Sequence, residues 1–332
     1  MKHEIYSSYK REKVLQLDKK SLEELNRQGL DSMWESMISG NVDLHVHSNA
    51  SDGKDSPAQV VHEIMRRNLD TFSLTDHDTI EGFKVISILY DKLNILGLDL
   101  PDFIPGIELN TLFEDKDIHI LAYFPKGSFY LMENYIAERL AARQKRNQAM
   151  IDKANEIDIN FEYKDLLSMG GGTIGRVHLA ALLMKKGYAD SNKEAFETYL
   201  DEGCPLFVPK ELPSIEYTLK TIRDAGGVPV LGHLARYSNW LKGDNPLSKA
   251  ELIDKVAKMK ELGLQGIEVL HSEMTLAESR ECASIGRELD LLPTAGSDYH
   301  GSHRPQLHLR TVEDDPRKFL SLFYEEFRQT KA

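Results

Sequence analysis

Six of the chain's twelve histidines fall in or just after short β-rich runs, and carboxylates accompany them. His45 and His47 are one residue apart. In a strand, positions i and i+2 face the same side. Val42, Leu44 and Val46 take the opposite face, so both imidazoles look inward together. Asp52 follows past a turn. His77 ends a second run in Asp76-His77-Asp78, Glu108 a third in Gly106-Ile107-Glu108, and His119 lies in a fourth. His233 closes GVPVLGH, and Asp298 and His300 close the last run. These nine nitrogen and oxygen ligands include no thiolate. They suit Mn²⁺, Fe²⁺ or Zn²⁺ better than a sulfur-rich site. The competing reading is scattered core histidines bonded to backbone carbonyls, and six of them at strand ends weigh against it.

The elements that must position these residues follow from periodicity. Strand-like runs cover 41–47, 71–78, 102–110, 117–124, 227–234, 264–272 and 291–300, with helical stretches at 57–68, 79–96, 214–225, 249–262 and 275–289. Such alternation predicts a mostly parallel α/β sheet or barrel. In a barrel the strand ends converge on one rim, where active sites are built. Residues 128–210 break the alternation with helical periodicity. The expected organisation is an N-terminal helical extension (1–40), a barrel in two parts (41–127 and 211–332) and a helical insertion between them (128–210). In the extension, Ser21 with Glu24 and Ser32 with Glu35 fit capping boxes. Its apolar positions predict packing on the main domain or on a second subunit, which leaves a homodimer open. In the insertion, Arg143 and Arg146 share one helix face. Arg176 and His178 sit at an expected helix start after Gly170-Gly171-Gly172, where free N–H groups favour phosphate.

Composition excludes several classes. The 332 residues carry a formal net charge of -12, which disfavours a basic nucleic-acid-binding domain and long duplex partners. The excess lies in 41–126 and 211–332, so an anionic substrate there calls for bound cations. No run is long and apolar enough to span a membrane, and no secretory signal opens the chain. Two distant cysteines, Cys204 and Cys282, exclude a disulfide scaffold and suit a reducing cytoplasm.

The motifs DLHVHSNASDG (43–53), LTDHDTIEGF (74–83), IPGIELN (104–110), HILAYF (119–124), GVPVLGH (227–233) and GSDYHG (296–301) resemble the polymerase and histidinol phosphatase (PHP) family of metal-dependent phosphoesterases, in the family's order. The resemblance implies a distorted (β/α)7 barrel with two or three divalent ions, Mn²⁺ first and Fe²⁺ or Zn²⁺ next. It implies His45, His47, Glu108 and Asp298 at one ion, Asp52, His77 and His300 at a second, and His119, His233 and a bridging Glu108 at a third. GRVHLAALLMKKGY (175–188) resembles the branch that cleaves 3',5'-nucleoside bisphosphates or the 5' end of short RNA. That resemblance implies Arg176, His178, Arg143 and Arg146 as phosphate-binding residues. Two features depart from the branch: Leu234 stands where a proline is usual, and the N-terminal extension is additional. The expected reaction is attack of a metal-bridging hydroxide on phosphorus, with Asp298, Glu108 and His233 as catalytic residues. The expected partner is a small phosphorylated nucleotide, such as adenosine 3',5'-bisphosphate, or a short oligonucleotide. The alternatives are a histidinol-phosphate-type phosphatase or a non-catalytic metal- or nucleotide-binding module. Asp76, Asp78, Glu268, His271 and Lys210 are supporting candidates, with a structural hydrogen bond expected of Glu268.

Overall fold

A computed structural model describes residues 16–39, 41–124, 128–169, 173–237, 239–241 and 243–303. The fold is mixed α/β. Strands β1 (Val42–Val46), β2 (Thr71–Leu74) and β3 (Asp102–Phe103) form one parallel sheet. Strands β4 (Gly106–Phe113), β5 (Lys116–Tyr123), β6 (Val228–Leu231), β7 (Gly266–Leu270) and β8 (Leu292–Ala295) form the other, in chain order. Single parallel bridges, Val46 to Tyr299 and His77 to Glu108, join the sheets at two seams. β1, β2, β6 and β8 are buried along their whole length, as strands covered on both faces must be.

The sheet is less parallel than the alternation suggests. β4 pairs antiparallel with β5, and β5 with β6. Only Glu114 and Asp115 separate Phe113 from its partner Lys116, and a parallel pair needs a crossover of a dozen or more residues. Glu114 adopts the left-handed conformation that so short a turn requires.

Helices α2 (Pro57–Arg66), α3 (Glu81–Ile95), α8 (Ile215–Asp224), α9 (Lys249–Glu261) and α10 (Leu276–Glu288) occupy the expected positions. Ser56 with Gln59, Ser248 with Glu251 and Thr275 with Glu278 close capping boxes on α2, α9 and α10.

Helix α1 (Lys19–Ser39) is continuous, with Asp18 accepting from the Ser21 N–H. Ser21 and Ser32 therefore lie inside the helix and cap nothing. Met33 and Met37 are fully buried in the main core, and Asn26 donates to the Gly227 carbonyl at 2.6 Å. The apolar face of α1 thus packs on the main core of its own chain. Residues 1–15 and Gly40 lie outside the described residues.

Between β5 and β6 run α4 (Glu133–Glu156), α5 (Tyr163–Leu167), α6 (Arg176–Lys185) and α7 (Asn192–Ala195), the last continued by a π-turn over Phe196–Leu200. Ser191 caps α7 through the Glu194 N–H. Met150, Ile151, Phe161, Leu179, Leu183 and Leu206 belong to a second apolar cluster, distinct from the main core. The Gly170–Gly172 run lies outside the described residues.

Candidate active site

Six strands or the loops after them bring the nine predicted ligands together. Glu108, 1% exposed, is the hub. Its Oε2 lies 3.1 Å from His47 Nε2 and 3.3 Å from both His45 Nε2 and His77 Nε2. Its Oε1 lies 2.6 Å from His119 Nδ1 and 2.9 Å from His233 Nε2. Asp298 Oδ1 stands 3.0 Å from His47 Nε2 and 3.4 Å from His45 Nε2. Asp52 Oδ1 stands 3.2 Å from His300 Nε2. Donor atoms converge in groups: His45, His47, Glu108 and Asp298; His47, Asp52, His77 and His300; and His77, Glu108 and His119. His233 Nε2 joins the last region, 3.1 Å from His119 Nδ1.

This donor set fits divalent cations. The Nε2 atoms of His47 and His300, which face the cluster, are buried and make no hydrogen bond despite the nearby carboxylates. An unpaired buried polar atom costs roughly 1–3 kcal/mol, so the site is built for something besides protein. The electrostatics agree. Burial resists the charged form of Glu108, yet His77, His119 and His45 hold its carboxyl well below the usual range. Burial likewise opposes ionised Asp298, and His45 and His300 outweigh it. Burial opposes a charge on His47, but Asp298 and Glu108 lift it to about 9. Burial pushes His233 down to about 4, which leaves it neutral at neutral pH with one ring-nitrogen lone pair available.

The predicted ligands are held by partners from distant strands. Glu268, fully buried on β7, places Oε1 3.1 Å from His45 Nδ1 and accepts the His233 N–H on Oε2 at 2.7 Å. The expected structural bond of Glu268 therefore tethers two predicted ligands at once. His233 (φ +26°) and Asp298 (φ +57°) occupy left-handed backbone, a strain the surrounding bonds must hold. Gly296 packs so closely that a Cβ there would lie 2.2 Å from His45 Cβ. Asp298 Oδ2 accepts from Arg236 at 2.5 Å, with buried His271 Nε2 3.7 Å away. His271 thus faces Asp298 rather than open space. Asp76 accepts from the Ser48 N–H, Ser48 Oγ and Ser51 Oγ, organising the loop that carries Asp52.

A cleft of about 150 Å³ opens beside the cluster, with Asp52, His77 and His119 on one side and Arg146, Arg176 and His178 on the other. Arg176 and His178 occupy the first turn of α6, and His178 Nδ1 accepts the Gly175 N–H. Arg143 and Arg146 project from α4. Asp78 binds the Arg143 guanidinium, so that cation is already neutralised. Arg146 donates Nε to the Val208 carbonyl, and Arg176 stacks on Phe196. No carboxylate among the described residues pairs with either. Burial first, then the neighbouring Arg176 and Arg143, push Arg146 down to about 10, and Asp117 only partly opposes them.

Comparison with known proteins decides the family. The PHP domain model matches residues 43–210. The chain is 30% identical to a 5'-3' exoribonuclease of Haemophilus influenzae over 258 residues, 78% of this chain and 89% of that protein. The chain belongs to the PHP domain family. It is also 24% identical to a 3',5'-nucleoside bisphosphate phosphatase of Chromobacterium violaceum, over 83% of this chain and 93% of that one. A solved structure from Bifidobacterium adolescentis, described as a candidate metal-dependent phosphoesterase, superposes with TM-score 0.68 at 26% identity, covering 85% of this chain and 96% of that one. Membership in this PHP family makes the chain a metal-dependent phosphoesterase.

Sequence reasoning missed two residues of the site. Arg236 reaches Asp298, and Asp43 Oδ1 accepts the Ser297 N–H at 2.9 Å, fixing the turn before Asp298. Their only signal is position: Asp43 lies two residues before His45, and Arg236 three residues after His233.

Proposed function

We propose that this PHP enzyme hydrolyses a phosphate ester of a small nucleotide, such as adenosine 3',5'-bisphosphate, or of the 5' end of a short oligonucleotide. The observation that carries the reading is the cleft. Asp52 and the imidazoles of His77 and His119 form one wall, and Arg146 and Arg176, which have no carboxylate partner among the described residues, line the other. The nine predicted ligands would hold two or three divalent ions, Mn²⁺ first in our assignment. Such ions supply Lewis acidity toward a phosphate and acidify water.

The chain's own groups do the rest. Arg176 and Arg146 offer planar forks to phosphate oxygens, and the α6 N-terminus adds backbone donors. His178 lines the cleft, its ring held by the Gly175 N–H at Nδ1. Glu108 ties the ligand groups into one unit, and Asp298 keeps one oxygen toward the cluster because Arg236 holds the other. The cationic wall stabilises negative charge as it spreads over the phosphate oxygens. In this reading the joined sheets are the distorted (β/α)7 barrel, split as 41–127 and 211–332. Residues 128–210 are its cap, residues 1–40 an added helical extension, and the enzyme works in the cytoplasm. Among the described residues no helix is long and apolar enough to cross a membrane.

The test is phosphate release from adenosine 3',5'-bisphosphate and nucleotide release from a 5'-phosphorylated RNA trinucleotide, both in Mn²⁺. Turnover of at least one substrate is expected, with Asp298→Asn slowing it by orders of magnitude at unchanged fold. Folded, metal-loaded protein that turns over neither substrate overturns the substrate assignment. Near-normal turnover by Asp298→Asn overturns the metal-site assignment.

A further inference from the structure

Beside the cleft lies a second, narrower depression lined by Arg139, Arg143, Arg146 and Lys210, with Asn110 and Leu212 completing its walls. Arg143, Arg146, Asn110 and Lys210 also line the cleft, so the two spaces share a boundary and run together. Arg139, Arg143 and Arg146 stand at i, i+4 and i+7 on α4 and so share a face. In a chain of net charge -12, such a row of cations is notable.

Counting the anions leaves a surplus. Asp78 neutralises Arg143, and Asp117 neutralises Lys210. The Glu211 carboxylate turns to Lys145 at 3.6 Å. No carboxylate among the described residues pairs with Arg139 or Arg146. Arg139 donates Nη1 to the Glu211 carbonyl at 3.0 Å, and its buried Nε has no hydrogen-bond partner. The depression holds a free volume of about 40 Å³, against about 150 Å³ in the cleft.

We infer that this groove binds the second internucleotide phosphate of a short single-stranded oligonucleotide whose 5' nucleotide, with the linkage to be cut, occupies the cleft. The inference rests on the phosphoesterase reading of the cleft and deepens it: the groove gives an oligonucleotide a contact that a mononucleotide lacks. Arg139 is then a specificity residue, outside the machinery that handles the reacting phosphate. An acidic peptide would meet the same charge, but only a strand carries its next phosphate out of the phosphate cleft along this path.

The experiment compares the full-length wild type with Arg139→Glu and Arg139→Lys. Binding of a 3'-fluorescein-labelled, 5'-phosphorylated RNA trinucleotide is read by anisotropy in EDTA, so that turnover does not intervene. kcat/KM for the trinucleotide and for adenosine 3',5'-bisphosphate is then measured in Mn²⁺. Arg139→Glu should weaken trinucleotide binding about tenfold and lower the log K against log salt slope by about 0.7. Arg139→Lys should retain most of both. Activity on adenosine 3',5'-bisphosphate should stay within about twofold, since a lost groove contact leaves the cleft intact. Unchanged trinucleotide binding overturns the inference, and so does an equal loss on both substrates. Equal competition by an acidic peptide at matched charge overturns it as well. If wild type turns over neither substrate, the reading of the cleft fails, while the anisotropy arm still decides the groove.

Discussion

Replacing Glu268 by Gln preserves shape and removes one charge from the support of two ligands. The carboxylate accepts the His233 N–H at 2.7 Å and lies 3.1 Å from His45 Nδ1. As an acceptor it fixes the Nδ1–H tautomer of His45, which leaves Nε2, facing Glu108 and Asp298, free to ligate. In Glu268→Gln the amide oxygen must take the His233 N–H, so the amide NH₂ faces His45 Nδ1. The ring then has to carry its proton on Nε2, the atom that ligates. Loss of such an outer partner costs about 10–100-fold in metal affinity, or roughly 1.4–2.8 kcal/mol. One opposing effect exists. Glu268, Glu108 and Asp298 overcome burial to hold His45 well above its ordinary pKa, so removing Glu268 eases its deprotonation. The lost anion attracts a dication about twice as strongly as a proton, so the net effect stays a loss. Calorimetric Mn²⁺ titration of chelator-stripped protein at pH 8 measures it, with circular dichroism as the fold control. Wild-type affinity and stoichiometry in folded Glu268→Gln would refute the tautomer argument.

Two further outcomes follow from the same packing. Gly296→Ala places a Cβ 2.2 Å from His45 Cβ and 2.7 Å from Glu268 Oε1; it should destabilise at or above the upper end of the roughly 1–3 kcal/mol range for overpacking, and a melting temperature equal to wild type would contradict the geometry. In metal-free protein His47 titrates at about 9 rather than 6.5; a raised histidine pKa contributes stability that is complete below the unfolded value and lost as pH rises through the folded one. The melting temperature should therefore fall between about pH 6.5 and 9, and Mn²⁺ should flatten the trend by taking the proton's place. A rise across that window would show that the carboxylates do not hold the proton.

Much of the fold was legible because its signals are local. The helices after β1, β2, β6 and β7 fall within a residue or two of their predicted bounds, since apolar period and caps are read within one turn. The antiparallel β4–β5 pair was legible in principle, from the two residues between Phe113 and Lys116, but a single apolar run over 102–110 obscured the break between β3 and β4. The capping patterns at Ser21 and Ser32 misled, because α1 gains more from burying Met33 and Met37 in one continuous helix than from a break. Of the predicted phosphate binders, Arg143 and Arg146 look alike in sequence. Only packing shows that Asp78 takes the first and that the second has no carboxylate partner among the described residues.

The sequence alone determined the ligand types and their delivery to strand ends. A two-residue alternation and a polar residue after a β-rich run are rules of the chain itself. Those rules sufficed to name all nine candidate ligands, while the hydrolytic chemistry came from the resemblance of the motifs to the PHP family. Tertiary structure decided how they combine. Glu108 became the hub, Glu268 the tether between His45 and His233, and Asp43 the brace for the turn before Asp298. These bonds join residues up to 254 positions apart. No local pattern encodes such a meeting, because it depends on which strands close against which, and that is settled only when the whole core packs.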